Sequence, residues 1–424
     1  MLNPIHDQIK AQCRQLLTSG DFDGARQKYR AMINAGTSDP DVHVAYAALL
    51  RESGNHEGAQ RHLLSHYKMN PVGKAPKSAR AQVPRLLYAR GFEETFPMIA
   101  RRSNGTYAPW LRGGHFTLRY LMRGGKIPRQ RVTFTPNQKL PANVLPRHSL
   151  ILNTISDTDV ESGSLIALNY FLKEHPTEKV INAPKWVALT SRDNNYERLS
   201  GLPGISFPET RRLTLRETSA EQLIALIGKQ AITSPFIIRR AGTHTGRTVA
   251  LIQTDEDLRR YVSAPLTGDY YLIDYIPVLW NDRLFRKMRL FIIDGVAHPV
   301  VCHFDDYWNV HGGNRLEMMK TDEALMDEEK RFLSDWQSYV GARAVAGIQR
   351  AIEATPLEFF GIDFTVMNSG DILIYELNAS MRHSYDHARN FPYKLAYDKA
   401  ITAAFQQMIV KHQGLALAER QAAN

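Results

Sequence analysis

"GIDFTVMNSGDILIYELNAS", Gly361 to Ser380, is the stretch on which the reading of the chain turns. Ile362 to Met367 is apolar apart from Asp363 and Thr365, and Ile372 to Asn378 is apolar apart from Glu376 and Asn378. Between them Asn368, Ser369, Gly370 and Asp371 supply hairpin-turn chemistry. With a loop of two or four residues, cross-strand partners have numbers adding to 739: 367 faces 372, 365 faces 374 and Asp363 faces Glu376. A three-residue loop breaks that pairing. Side chains alternate along a strand, so Asn378 shares the face of Glu376. Opposed like charges repel, and burial raises the cost. A divalent cation removes the conflict, because carboxylate and amide oxygens are the hard ligands Mg²⁺ takes. The competing reading is a solvent-facing strand pair with incidental acids.

Working outward, strands and helices alternate from Ser149. "SLILNTI", "KVINAP" and "GISFPET" read as strands, and "ESGSLIALNYFLKEH" and "SAEQLIALIGK" as helices. This predicts an α/β organisation with a mostly parallel sheet. "PFIIRRAGTHTGRTVALIQ" reads as two strands around a Gly-rich loop, and "DYYLIDYIPV", "FRKMRLFIIDG" and "VAHPVVCHF" as further strands. Thr321 to Ala354 reads as helical, and "LAYDKAITAAFQQMIV" as a closing amphipathic helix.

Residues 1–72 read as helical repeats with a period of 34: Gly20 recurs as Gly54, Ala25 as Ala59, and each copy ends in a proline, Pro40 and Pro71. Small residues at these points let antiparallel helices approach. The pattern resembles the tetratricopeptide repeat. Two copies leave apolar surface that calls for a neighbour or a bound peptide; a plain helical hairpin without a ligand is the bland alternative.

The 424 residues suffice for two to four domains. The composition, 43% apolar and 23% charged, is that of a globular chain. Two cysteines, Cys13 and Cys302, make no disulfide framework. With no apolar run at the N-terminus and none long enough for a membrane span, a cytoplasmic location is expected. The net charge of +10 is concentrated: Val72 to Arg147 holds fifteen Lys and Arg against two acids, Glu93 and Glu94. Such a zone suits an anionic partner. Its interleaved aromatics suit nucleic acid, but no recognisable RNA-binding signature accompanies them.

The carboxylate hairpin, the Gly-rich loop and the strand order together resemble the ATP-grasp superfamily over roughly Ser149 to Val410, in particular its glutathione synthetase and ribosomal-protein glutamate-ligase branch. The resemblance implies an ATP-grasp domain (233–412) after a Rossmann-like α/β subdomain (148–232), a basic connecting region (73–147), tetratricopeptide-like repeats (1–72) and a tail (413–424). By the same resemblance Asp363, Glu376 and Asn378 hold two Mg²⁺ ions that bridge the ATP phosphates. Arg239 stands where the family usually has a phosphate-reaching Lys, with Arg240 competing for the role. Gly242, His244 and Gly246 in "GTHTG" form a loop that closes over the phosphates. Asp274, Tyr275 and Ile276 resemble the hinge that reads the adenine edge. Arg289, and then Lys287, face the γ-phosphate and acyl group, with Arg286 on the opposite strand face. His303, His311, Arg382 and His383 are candidates for the substrate site. The implied activity is ATP-dependent carboxylate–amine ligation through an acyl phosphate, with a small-molecule or peptide carboxylate, an amine acceptor and a peptide partner for the repeats. The alternatives are an ATP-grasp phosphotransferase and a non-catalytic repeat protein retaining a nucleotide-binding fold.

Overall fold

The computed structural model describes residues 4–74, 85–116, 118–243, 248–310 and 314–422. Four helices open the chain: α1 (Pro4–Ser19), α2 (Phe22–Asn34), α3 (Pro40–Glu52) and α4 (His56–Met69). Gly20 and Gly54 turn the chain between members of each pair with φ of 93° and 82°. The next residues, Asp21 and Asn55, cap α2 and α4 by accepting the Gly24 and Gly58 amides at 2.9 Å. The same turn chemistry therefore recurs at the 34-residue spacing, and Ala25 and Ala59 are buried at the helix crossings.

β1 (Arg85–Gly91) leads into a hairpin of β2 (Phe96–Arg101) and β3 (Tyr107–Arg112). The hairpin packs against α1, α3 and α4. Phe22 meets Tyr107 edge-on at 5.1 Å, Arg51 lies 4.6 Å over the Phe96 ring, and Ile99 packs against the helical core. The apolar surface that the repeats leave over is thus covered by the chain's own hairpin.

β4 (Arg129–Phe134), β5 (His148–Asn153) and β6 (Val180–Ile181) join β1 in a parallel sheet ordered β4-β1-β5-β6. The segment expected as a basic connector supplies two strands of this sheet, so the α/β pattern starts at Arg85 rather than Ser149. Arginines at the ends of "RLLYARG" and "RQRVTF" hide the apolar centres: Leu86, Leu87, Ala89, Val132 and Phe134 are buried.

After β7 (Ile205–Ser206), a second sheet forms from β8 (Thr210–Thr218), β9 (Phe236–Arg240), β10 (Val249–Ile252) and β11 (Leu266–Asp274) in the order β10-β9-β11-β8. All its pairs are antiparallel. The third sheet contains β12 (Leu279–Trp280), β13 (Leu284–Ile293), β14 (Val296–Asp305), β15 (Phe359–Val366) and β16 (Ile372–Asn378), with β7 beside β16. Only the β16–β7 pair in it is parallel. The expected mostly parallel organisation therefore holds for the first sheet alone. The Asp294-Gly295 turn, with both residues at positive φ, joins β13 to β14 as a tight hairpin, a connection no parallel pair can make.

Helices between Glu323 and Glu353 pack Phe332, Ile348 and Ala351 beneath the third sheet. The last helix, Lys394–Ala422, buries Ile401, Phe405 and Ile409 against Phe291 and Phe359 of the third sheet and Leu150 and Ile181 of the first. It continues past the tail boundary expected at 413: Gln413 Nε2 donates to Ser149 Oγ at 2.9 Å and Ala416 is buried. No described helix is long and apolar enough to cross a membrane.

Candidate active site

The β15–β16 hairpin builds the site floor. Its loop is closed by Met367 N donating to Asp371 O at 2.9 Å, with Gly370 at φ 84°. This is the three-residue loop, and the outer pairs follow it: Val366 faces Ile372 and Phe364 faces Ile374, not the partners expected from a sum of 739. One extra residue on β16, Tyr375, then shifts the register back, so that Asp363 faces Glu376 and Gly361 faces Asn378. Ile372, Ile374 and Leu377 join the core, while Tyr375, Glu376 and Asn378 line a cavity with Asp363.

That cavity, about 640 Å³, lies between the second and third sheets. One wall carries Arg239 of β9 and Tyr271 of β11; the other carries Lys287 and Arg289 of β13 and His303 of β14. The facing carboxylates are met by protein cations. Arg289 grips Asp363 with two bonds, Nε to Oδ1 at 2.5 Å and Nη2 to Oδ2 at 2.8 Å, and Lys287 Nζ reaches Oδ2 at 3.2 Å. Arg192 Nη2 donates to Glu376 Oε1 at 2.5 Å, and its Nη1 to Tyr375 O at 3.1 Å. Burial works to raise the Glu376 pKa, and Asp363 adds to this. Arg192, Arg239 and Arg289 outweigh both and bring it down to about 2. Burial pulls the Lys287 ammonium down against the opposing pull of Asp363, whereas for Arg289 the Asp363 carboxylate overcomes burial and holds the pKa above its ordinary value.

Of the competing pair, Arg239 lines the cavity and bonds the Thr243 carbonyl, while exposed Arg240 is not among the lining residues. Burial, helped by Arg192, brings Arg239 down to about 10. Gly242 sits at φ 67° with its amide 3.3 Å from Asp159 Oδ2. A Cβ there would meet Val160 at 2.5 Å. His244, Gly246 and His311 lie outside the described residues. Asp274, Tyr275 and Ile276 line the rim beside Trp308, whose ring meets Tyr275 edge-on at 6.0 Å. The Asp274 and Tyr275 amides donate to Glu209 O and Pro235 O at 2.9 and 3.4 Å. His303 is buried and stacks on His387 at 5.6 Å. Exposed Arg382 pairs with Asp386, and His383 meets Thr402 Oγ1 at 3.2 Å; both line the cavity. Arg286 turns away, over the Tyr339 ring.

Among solved structures, the chain is similar to the following three among others. The RimK domain ATP-grasp protein from Sphaerobacter thermophilus is 13% identical, with a TM-score of 0.40 over 77% of this chain and 99% of that one. The D-alanine–D-alanine ligase of Coxiella burnetii is 11% identical, with a TM-score of 0.41 over 80% and 99%. The D-cycloserine synthetase DcsG is 13% identical, with a TM-score of 0.43 over 77% and 99%. No family model matches the chain, and no curated protein matches its sequence.

Several cavity residues escaped the sequence reading. Arg192 lies 184 positions from Glu376, and nothing local marks it. Asp159 follows β5 and ties the second sheet to the first through Arg212 Nη2 at 2.7 Å and Tyr271 Oη at 2.8 Å. Its signal was the acidic run "SDTDVES" at the carboxyl end of a parallel strand, where such folds place ligands. Lys394, buried against Glu329 at 2.6 Å, and Asp398 also line the cavity.

Proposed function

We propose that the chain is an ATP-dependent carboxylate–amine ligase of the ATP-grasp kind. The observation that carries this reading is the opposition of Asp363 and Glu376, with Asn378 on the same wall, inside a cavity ringed by Arg192, Arg239, Lys287 and Arg289. Two carboxylates and an amide are a donor set that fits Mg²⁺. A volume of about 640 Å³ falls within the range of small-molecule sites. Asp363, Glu376 and Asn378 would hold the metal, which when bound neutralises phosphate charge.

The residues divide the remaining work. Arg239 and the loop beginning at Gly242 hold the phosphates, and the hinge at Asp274 to Ile276, with Trp308 beside it, receives the base. Arg289 and Lys287 stabilise charge spreading over the γ-phosphoryl group as it passes to the substrate carboxylate. This transfer replaces a poor leaving oxygen with phosphate, and attack by an amine then forms the amide and releases phosphate. Walls that exclude water protect the acyl phosphate from hydrolysis. His303, Arg382 and His383 border the acceptor end. We read α1–α4 as tetratricopeptide-like. Because the β2–β3 hairpin covers their apolar surface, they support the catalytic half rather than recruit a peptide there.

The test is ATP-to-ADP conversion with pools of amino acids and peptides, with the products weighed by mass spectrometry. Amine-dependent ADP release is expected, and Asp363→Asn or Glu376→Gln should abolish it while far-UV circular dichroism is unchanged. Turnover that needs no amine would favour a phosphotransferase. Full activity in both variants would remove this hairpin from the chemistry.

A further inference from the structure

The only two acids of the basic 72–147 segment, Glu93 and Glu94, come together with acids from another part of the chain. Glu94 stands just before β2, and His115 stands three residues after β3, beyond the Gly113-Gly114 pair. The two glycines, at φ 120° and 82°, bend the chain back so that His115 Nδ1 touches Glu94 Oε1. Asp157, in the loop after β5, completes the group: one ligand atom from each of Glu94, His115 and Asp157 lies within 4.8 Å of the others. His115 and Asp157 also line the large cavity.

Two buried oxygens there lack partners among the described residues. The Glu94 side chain is only 6% exposed, and its Oε2 makes no hydrogen bond. Glu161 is 1% exposed and its Oε1 makes none either. By contrast, Glu93 is committed to Ser164, whose amide reaches Oε1 at 2.9 Å, and Asp157 Oδ1 accepts the Asp159 amide at 2.8 Å. An orphaned buried carboxylate oxygen is expensive, and two so near each other call for a positive ligand.

We infer that Glu94, His115 and Asp157 form a second cation site for a borderline divalent transition ion of the Zn²⁺ or Co²⁺ class. The imidazole decides the class: a mixed nitrogen and carboxylate set suits these ions, whereas Mg²⁺ and Ca²⁺ favour oxygen alone. The site is distinct from the Asp363–Glu376–Asn378 wall and is independent of the ligase reading. A metal there would fasten the base of the β2–β3 hairpin, and through it the repeats, to the cavity wall.

The test uses full-length protein stripped with chelator and returned to buffer containing excess Mg²⁺. Co²⁺ titration should give one bound ion with visible d–d absorption, displaced by Zn²⁺, and Zn²⁺ should raise the melting temperature. Glu94→Gln and His115→Ala should each weaken Co²⁺ binding by more than about 10-fold, since even outer-shell changes cost that much, while Asp363→Asn leaves it unchanged. Should a variant misfold, diethylpyrocarbonate labelling of the unaltered protein decides: Zn²⁺ should protect His115, which is 41% exposed. Absence of Co²⁺ binding in Mg²⁺ buffer, binding lost only in Asp363→Asn, or unprotected His115 would overturn the proposal. So would stabilisation by simple amines without a cobalt spectrum.

Discussion

Asp363 is held by a two-point arginine and a lysine, and that grip sets its mutational signature. Removing one partner of a buried ion pair strands the other charge, which typically costs about 3–5 kcal/mol. Arg289→Met should therefore lower stability in urea by roughly 3 kcal/mol, moderated by Lys287. The double variant Asp363→Asn/Arg289→Met should recover most of that loss while remaining inactive. Asp398 offers a pH test. Burial lifts its carboxyl to about 6, with Lys394 opposing and Glu329 adding, and its Oδ2 makes no hydrogen bond among the described residues. A carboxyl whose folded pKa exceeds its unfolded value favours folding fully below about pH 4 and progressively less up to pH 6. Asp398→Asn should thus gain up to roughly 3 kcal/mol relative to the unaltered chain between pH 4 and pH 7. Denaturant titrations at the two pH values would show a flat difference if Asp398 were already ionised in the acid sample.

Among the elements, the hairpin was legible because its acids interrupt two apolar runs. Its register was legible only in part. The sequence signals a turn but not that a three-residue loop is offset by an extra Tyr375, since the inserted residue is itself a good strand former and leaves no local mark. The alternation of strands and helices suggested a parallel sheet, and the hairpin signal of the Asp-Gly pair at 294–295 went unread. β1 and β4 were hidden by their arginines, whose charges mask apolar centres only two or three residues long. Arg192 could not be found at all, because only the folded chain brings it to Glu376. The β2–β3 hairpin yields its own prediction. A Cβ on Gly113 would lie 1.7 Å from the Glu94 carbonyl oxygen, whereas one on Gly114 meets nothing nearer than 3.6 Å. Gly113→Ala should cost more than about 2 kcal/mol and Gly114→Ala about 1 kcal/mol, the latter being backbone strain alone. Equal melting temperatures for the two would refute this close apposition.

For the molecule as a whole, the helices α1–α4 and the α/β part of the chain share apolar surface through the hairpin. Deleting residues 1–72 should uncover Phe92, Ile99 and Leu111, which pack against the helices, and should produce aggregates on size exclusion rather than a smaller monomer. A well-behaved monomer would mean that this contact is dispensable. The closing helix carries a different consequence. Its 29 residues, about 43 Å at 1.5 Å each, start at Lys394 beside the cavity and pass Ser149 at Gln413, so they brace the first and third sheets against each other like a strut. The second sheet is held instead by side-chain ties such as those from Arg212 to Asp159 and Asp193. Any opening of the cleft should therefore be one-sided, a swing of β8–β11 over a fixed base, and nucleotide should slow amide exchange in those strands while leaving the Lys394–Ala422 helix unaltered.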